Sequence, residues 1–226
     1  MCSRFTQTTP VDLMAQLFGI RNRPNLLRRY NIAPTQEISV IRDSGGVRQL
    51  AAVRWGLIPE WAREMGKSPL INARSETVTE KPSFRSALAA RRCIVPCNGY
   101  YEWIDGDPHF IYFADKSPMF FAGLWESWRD NAGKVIESCA IITTAASPDM
   151  TAVHARMPAI LSPREWEQWL DNRHCTAQEA ADMLRHWSGD RIDHHPVGPV
   201  MRNTANDNEE CIARWTKEAP RQGSLL

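Results

Sequence analysis

The chain has 226 residues, 43 % of them hydrophobic, and its 27 basic and 26 acidic side chains leave a formal net charge of +1. It is long enough to bury a full core, and near-neutrality excludes a strongly basic, polyanion-coating protein, so nucleic-acid binding here requires arginines gathered on one face. No apolar run approaches the ~20 residues of a membrane span and no targeting segment precedes Cys2, so a cytoplasmic, nucleoid-associated monomer without membrane contact is expected. In chain order, Thr9-Pro10-Val11-Asp12 supplies an N-cap, a first-turn proline and an acidic position ahead of Leu13, Met14, Leu17 and Phe18. With Gly19 as the stop, this predicts a helix. Residues 38–42 and 47–55 flank Asp43-Ser44-Gly45-Gly46, a hairpin signal. Further strands are predicted over 93–95, 100–104, 109–113, 119–125 and 135–144, all rich in β-branched or aromatic residues. Ser162-Pro163-Arg164-Glu165 and Thr176-Ala177-Gln178-Glu179 are capping boxes. They open helices with Trp166, Trp169 and Leu170, and then Ala180, Met183, Leu184 and Trp187, on one face. Runs of strands with helices toward the ends predict an α+β fold around a barrel-like antiparallel β-sheet core. No linker divides the chain, which predicts a single domain over 1–217 and a polar, disordered tail over 218–226.

The chemistry starts at Cys2. Removal of Met1 leaves a cysteine whose α-amine and thiol sit on adjacent carbons, and the ordinary amine pKa near 7.7–8.0 keeps part of it unprotonated at neutral pH. Such a pair captures aldehydes: the amine forms a Schiff base and the thiol closes a thiazolidine ring. A small residue behind an initiator methionine is also commonplace, so Cys2 alone decides nothing. The six cysteines, at 2, 93, 97, 139, 175 and 211, are irregularly spaced, which in a reducing compartment argues against a disulfide framework. Cys93 and Cys97 lack the second pair of a zinc module, and no metal or cofactor is expected. Nine tryptophans, some beside arginine as in Arg54-Trp55 and Trp128-Arg129, suit base stacking, although core filling is the commoner use of any one ring. Two other readings stand beside aldehyde capture. One is a non-catalytic single-stranded-DNA-binding domain, and the other an N-terminal-nucleophile amidohydrolase using the Cys2 thiol.

Further segments follow Met1-Cys2 in order: Tyr30-Asn31-Ile32-Ala33-Pro34-Thr35, Trp55-Gly56-Leu57-Ile58-Pro59-Glu60-Trp61, Ile71-Asn72-Ala73-Arg74-Ser75-Glu76-Thr77, and Gly99-Tyr100-Tyr101-Glu102-Trp103 with His154-Ala155-Arg156-Met157-Pro158. Together they resemble the SRAP family, the abasic-site processing proteins first described as SOS-response-associated peptidases. The resemblance runs from Cys2 to about Ile212, with Ser3 and Gly198 standing where the family usually has glycine and serine. It implies that Cys2 forms a covalent thiazolidine crosslink with abasic sites in single-stranded DNA. It also implies a lyase side reaction, and a peptidase activity that removes Met1. Asn72 then holds Cys2 or the sugar, while Glu102 moves protons among its aromatic neighbours. His154 acts as the acid that opens the sugar, since imidazole titrates near neutral pH. Arg4, Arg74 and Arg156 are expected on phosphates, although Glu76 is close enough in sequence to pair with Arg74 instead. Asn31 and Pro34 are expected to line the pocket, Pro34 as a wedge against an unstacked base, with Trp61 and Trp103 on the DNA.

Overall fold

The computed structural model describes residues 2–185, 187–189 and 191–216, and the predicted tail over 218–226 lies outside them. Elements β1 (Phe5–Gln7), α1 (Val11–Phe18), β2 (Arg29–Ile32), β3 (Glu37–Ser44), β4 (Val47–Trp55) and β5 (Asn72–Arg74) come first. The middle holds α2 (Arg85–Ala90), β6 (Arg92–Cys97), β7 (Gly99–Ile104), β8 (Asp107–Phe113), β9 (Met119–Arg129) and β10 (Val135–Ala145). Last come β11 (Arg156–Pro158), α3 (Pro163–Leu170), α4 (Ala177–Asp182) and β12 (Ile192–Pro196).

The hairpin expected around Asp43 joins β3 to β4. Ser44 pairs with Val47, and Gly45 and Gly46 take φ values of 68° and 87°, the positive pair that a two-residue turn needs to follow the strand twist. Strands β3, β4, β10, β9 and β6 then close on themselves, because β9 pairs with both β6 and β10. This makes a five-stranded barrel, and closure hides edges that an open sheet would expose. The sheet is not wholly antiparallel, as the sequence had predicted: β4 and β5 each pair with β10 in parallel. A parallel pairing needs a long crossover, and the long excursion between β4 and β10 supplies it.

A second sheet, ordered β12-β8-β7-β1-β2, packs against the barrel. The two share a buried cluster containing Cys2, Phe5, Val95, Tyr100, Phe121 and Ile141. Helices stay peripheral. Met14 and Phe18 of α1 and Trp169 of α3 cover another part of the barrel, with Phe18 lying 4.6 Å from Trp166 and 5.1 Å from Phe120 between ring centroids. Both capping boxes form, at Ser162/Glu165 and Thr176/Glu179. In α1 the N-cap is Pro10, not the predicted Thr9, and has no side-chain bond. Trp187, predicted on the face of the last helix, lies beyond the end of α4 and packs 5.2 Å from Phe113 of the second sheet. All six cysteines are free and buried, and among the described residues no helix is long and apolar enough to cross a membrane. Cys93 and Cys97, four residues apart on an extended strand, are separated by roughly 13 Å along β6, too far to chelate one ion together.

Candidate active site

Three of the quoted segments and the N-terminal strand meet at one residue. Trp55, fully buried at the end of β4, lies edge-on to Phe5 with centroids 4.9 Å apart and an interplanar angle of 84°. Its Nε1 donates to the Ile71 carbonyl at 3.0 Å, and its own carbonyl accepts from Thr35 N at 2.8 Å. One residue thus joins the N-terminal strand, the β2–β3 turn and the start of β5. Thr35 takes φ 73°, an unfavourable region for a β-branched residue, and the bond to Trp55 holds it there. Pro34 sits half-exposed in the same turn.

Cys2 lies just ahead of β1, which runs antiparallel to β7. Phe5 pairs with Tyr100, and Tyr101 N donates to Arg4 O at 3.0 Å, so the ladder continues toward the N-terminus. Alternate residues of a strand face opposite ways. Tyr100 belongs to the cluster around Cys2, whereas Tyr101 and Trp103 belong to one with Tyr30, Phe110 and Val197. Glu102, 3 % exposed, therefore shares the Cys2 side with Tyr100. Burial, first of all, pushes the Cys2 thiol well above its ordinary value, and the neighbouring Cys97 and Glu102 push it the same way. Burial also raises Tyr100, with Cys2 and Glu102 adding to the effect. Asn72 of β5 completes the group: its Nδ2 donates to the Cys2 carbonyl at 2.8 Å, while its Oδ1 is buried without a hydrogen-bond partner among the described residues.

Strand β10 brings the remaining cations alongside. Thr143 pairs with Arg74 of β5 on one side and with Pro158 of β11 on the other. Arg74 shares the face of Asn72, is exposed, and its side chain makes no hydrogen bond among the described residues. Arg156 has its fork on Glu76 (Nη1 to Oε1 2.9 Å, Nη2 to Oε2 3.0 Å) and donates from Nη2 to Thr143 O at 2.6 Å. Hydrogen bonding to Arg156 holds the Glu76 carboxyl below the usual range. Glu76 thus pairs with Arg156 rather than Arg74. His154, between Val153 and Met157, accepts Arg156 N on Nδ1 at 2.9 Å, and the same nitrogen lies 3.1 Å from Arg156 O.

The model of the SOS response associated peptidase (SRAP) family matches residues 1–204. The chain belongs to the SRAP family. Among its relatives, the abasic site processing protein YoqW of Bacillus subtilis is 34 % identical over 221 residues, covering 94 % of this chain and 99 % of its own. The abasic site processing protein HMCES of Xenopus tropicalis is 36 % identical over 194 residues, covering 74 % of this chain but 57 % of that longer protein. A crystal structure of a Bacteroides thetaiotaomicron protein superposes with a TM-score of 0.84 at 27 % identity, over 95 % of this chain and 100 % of its own. One from Bordetella bronchiseptica gives 0.76 at 29 % identity, over 87 % and 100 %.

Within this SRAP fold, three residues expected on DNA have their side chains engaged within the protein. Arg4 is spent inside the protein: Nη1 donates to Asn31 Oδ1 at 2.6 Å and to Met201 O at 3.0 Å, and Nη2 to Arg202 O at 3.3 Å. Asn31 is fully buried, and its Nδ2 reaches the carbonyls of Met201, Asn203 and Asn206 at 2.9, 3.1 and 2.8 Å. It fastens the C-terminal segment instead of lining the pocket. Trp103 is half-buried on the face of β7 opposite Glu102. Trp61, in contrast, is 64 % exposed. Its loop is pinned by Trp61 Nε1 to Pro82 O (3.3 Å) and Trp128 Nε1 to Ala62 O (2.7 Å), and a cavity of about 220 Å³ lined by Leu57, Ile58, Met65 and Leu70 lies beside the ring. Sequence reading grouped Trp55 and Trp128 with rings that suit base stacking, whereas both are buried, and passed over Tyr100 and Thr143. Trp55 and Tyr100 matter to the site. Both lie inside the quoted segments, so their position was a usable signal; Thr143, in a strand of apolar residues, gave none.

Proposed function

We propose that this protein captures abasic sites in single-stranded DNA as a covalent thiazolidine at Cys2, protecting them during the response to DNA damage. The observation that carries the reading is the Cys2 group itself: a buried cysteine one residue from the start, its carbonyl held by Asn72 and a buried carboxyl, Glu102, on its side. Similarity to proteins named for abasic site processing points the same way.

The chemistry balances without an external oxidant or cofactor. Removal of Met1, as self-processing, converts the Cys2 nitrogen to a primary amine. The amine adds to C1′ of the ring-opened sugar, and water leaves to give an imine. The thiol then adds across the C=N bond, its sulfur to carbon and its proton to nitrogen. Because burial keeps the thiol protonated, it closes the ring only after the amine has reacted, with Glu102 relaying the proton. Asn72 fixes the direction of the Cys2 backbone, and His154 supplies a proton to the sugar oxygen. Abstraction of the neighbouring C2′ proton from the imine gives strand cleavage, a lyase side reaction, in competition with ring closure. Arg74 and the exposed Trp61 supply phosphate contact and base stacking. The protein acts as a cytoplasmic, nucleoid-associated monomer over a single domain.

The test is incubation with a single-stranded oligonucleotide carrying one abasic site. The expected product is a species that survives denaturation, absent in Cys2→Ala, which retains salt-sensitive binding. Glu102→Ala and His154→Ala are expected to form it ~10²–10⁴-fold more slowly with near-normal affinity. A denaturation-stable species from Cys2→Ala removes the thiazolidine; salt-sensitive binding alone from the unaltered protein establishes the non-catalytic DNA-binding reading.

A further inference from the structure

The guanidinium fork of Arg156 matches either a phosphate or a carboxylate, and in the structure the carboxylate of Glu76 fills it through two parallel bonds. The bond from Nη2 to Thr143 O fixes the direction of the fork whatever occupies it. Glu76 is an unusual partner for such a seat. Its side chain is 51 % exposed against 17 % for Arg156, and it projects from a single turn of 3-10 helix, Ser75–Thr77, directly behind β5. Swinging outward costs it no desolvation. Arg74 stands two residues earlier, on the strand face whose Asn72 holds Cys2, and pairs across the ladder with Thr143, the residue that anchors Arg156. Two arginines therefore flank the Cys2 group, one open to solvent and one covered by a half-exposed anion.

We infer that Glu76 occupies the seat of a backbone phosphate and is displaced by the incoming strand, so that it sets how tightly and how selectively the protein holds DNA. The inference rests on the function proposed above. A free anion meets Arg156 alone and competes with a carboxylate tethered beside it. A strand already held at Arg74 presents its next phosphate at a comparable effective concentration. The exchange therefore passes a polyanionic strand and rejects inorganic phosphate.

The probe is a single-stranded oligonucleotide with a tetrahydrofuran site, which carries no aldehyde and cannot react. Its binding is measured against salt for the unaltered protein, Glu76→Gln, Arg156→Ala and the double variant. Glu76→Gln is expected to bind about two- to fivefold more tightly, with a log-affinity against log-salt slope steeper by ~0.7. Millimolar inorganic phosphate is expected to compete in that variant alone. In the Arg156→Ala background the same change is expected to be silent. Unchanged or weaker binding by Glu76→Gln at an unchanged melting temperature overturns the inference. Equal tightening without Arg156 does so too, since it assigns the effect to net charge. Where Glu76→Gln melts lower, Glu76→Asp carries the decision: it keeps the charge on an arm too short for both nitrogens, so tighter binding at an unaltered slope is expected and its absence is a refutation. Adduct formation plays no part in these readouts, so a failure of the covalent reading is seen separately, with an aldehyde-bearing strand.

Discussion

Three arginines that look alike in the sequence have different environments in the structure. Arg74 is open, Arg156 is covered by Glu76, and Arg4 is committed to Asn31 and to the carbonyls of Met201 and Arg202. Desolvation lowers the Arg4 guanidinium from its ordinary value, in keeping with an interior role. Changing Arg74 to Ala is therefore expected to flatten the salt slope of single-strand binding by ~0.7. Arg4→Ala is expected to leave the slope alone and slow adduct formation, because it releases the chain two residues from Cys2. A flattened slope in Arg4→Ala would return that residue to the DNA. The same titration separates the tryptophans: Trp61→Ala is expected to weaken binding by ~1–3 kcal/mol with the slope kept, whereas Trp103→Ala acts on stability.

At the scale of elements, the segment from Val197 to Ile212 acts as a fastening. Asn31 bonds three of its carbonyls, and the Asp207 carboxylate accepts from Tyr30 N, Asn31 N and Arg29 Nε, covering the edge of β2. Asn31→Ala strands buried carbonyls and is expected to cost about 1–3 kcal/mol, with faster amide exchange over 199–212. Protection unchanged in that segment would place its anchorage elsewhere. None of this was legible beforehand, since the partners lie some 170 residues apart in the chain. The β3–β4 hairpin, the long strands and the two capping boxes were legible, because glycine turns, β-branched runs and box spacing are local signals. Strands β1, β2, β5 and β11, of three or four residues, exist only through their pairing and carry no periodicity of their own. The same holds for the site. Cys2, Asn72 and Glu102 could be read as chemistry, and a strand over 100–104 by itself turns Trp103 away from Glu102; which of the two faces meets Cys2 follows from register, which only the folded sheet defines.

For the whole molecule, the buried thiols set a limit at high pH. Burial raises Cys2, Cys93, Cys97 and Cys139 above their ordinary value, and Tyr100 and Tyr101 follow. The folded state holds these protons more tightly than the unfolded chain, so stability is full below the unfolded thiol pKa near 8.5 and is lost as pH rises above it. The loss approaches about 1.4 kcal/mol per pH unit for each group ionised only in the unfolded chain. The urea midpoint is expected to hold to about pH 8 and fall steeply beyond about pH 9; a midpoint flat to about pH 10.5 contradicts it. The Arg4 contact to Met201 also has a consequence in time. A ribosome adding ~5–20 residues per second needs roughly 10–40 s to travel from the second residue to the two-hundredth. Throughout that interval the start of the nascent chain has no pocket to enter. Once Met201 and Arg202 arrive and Arg4 closes onto them, Cys2 is sealed. Synthesis order therefore presents Cys2 long before the chamber that governs it exists, and the self-processing of Met1 proposed above waits for the chain to close.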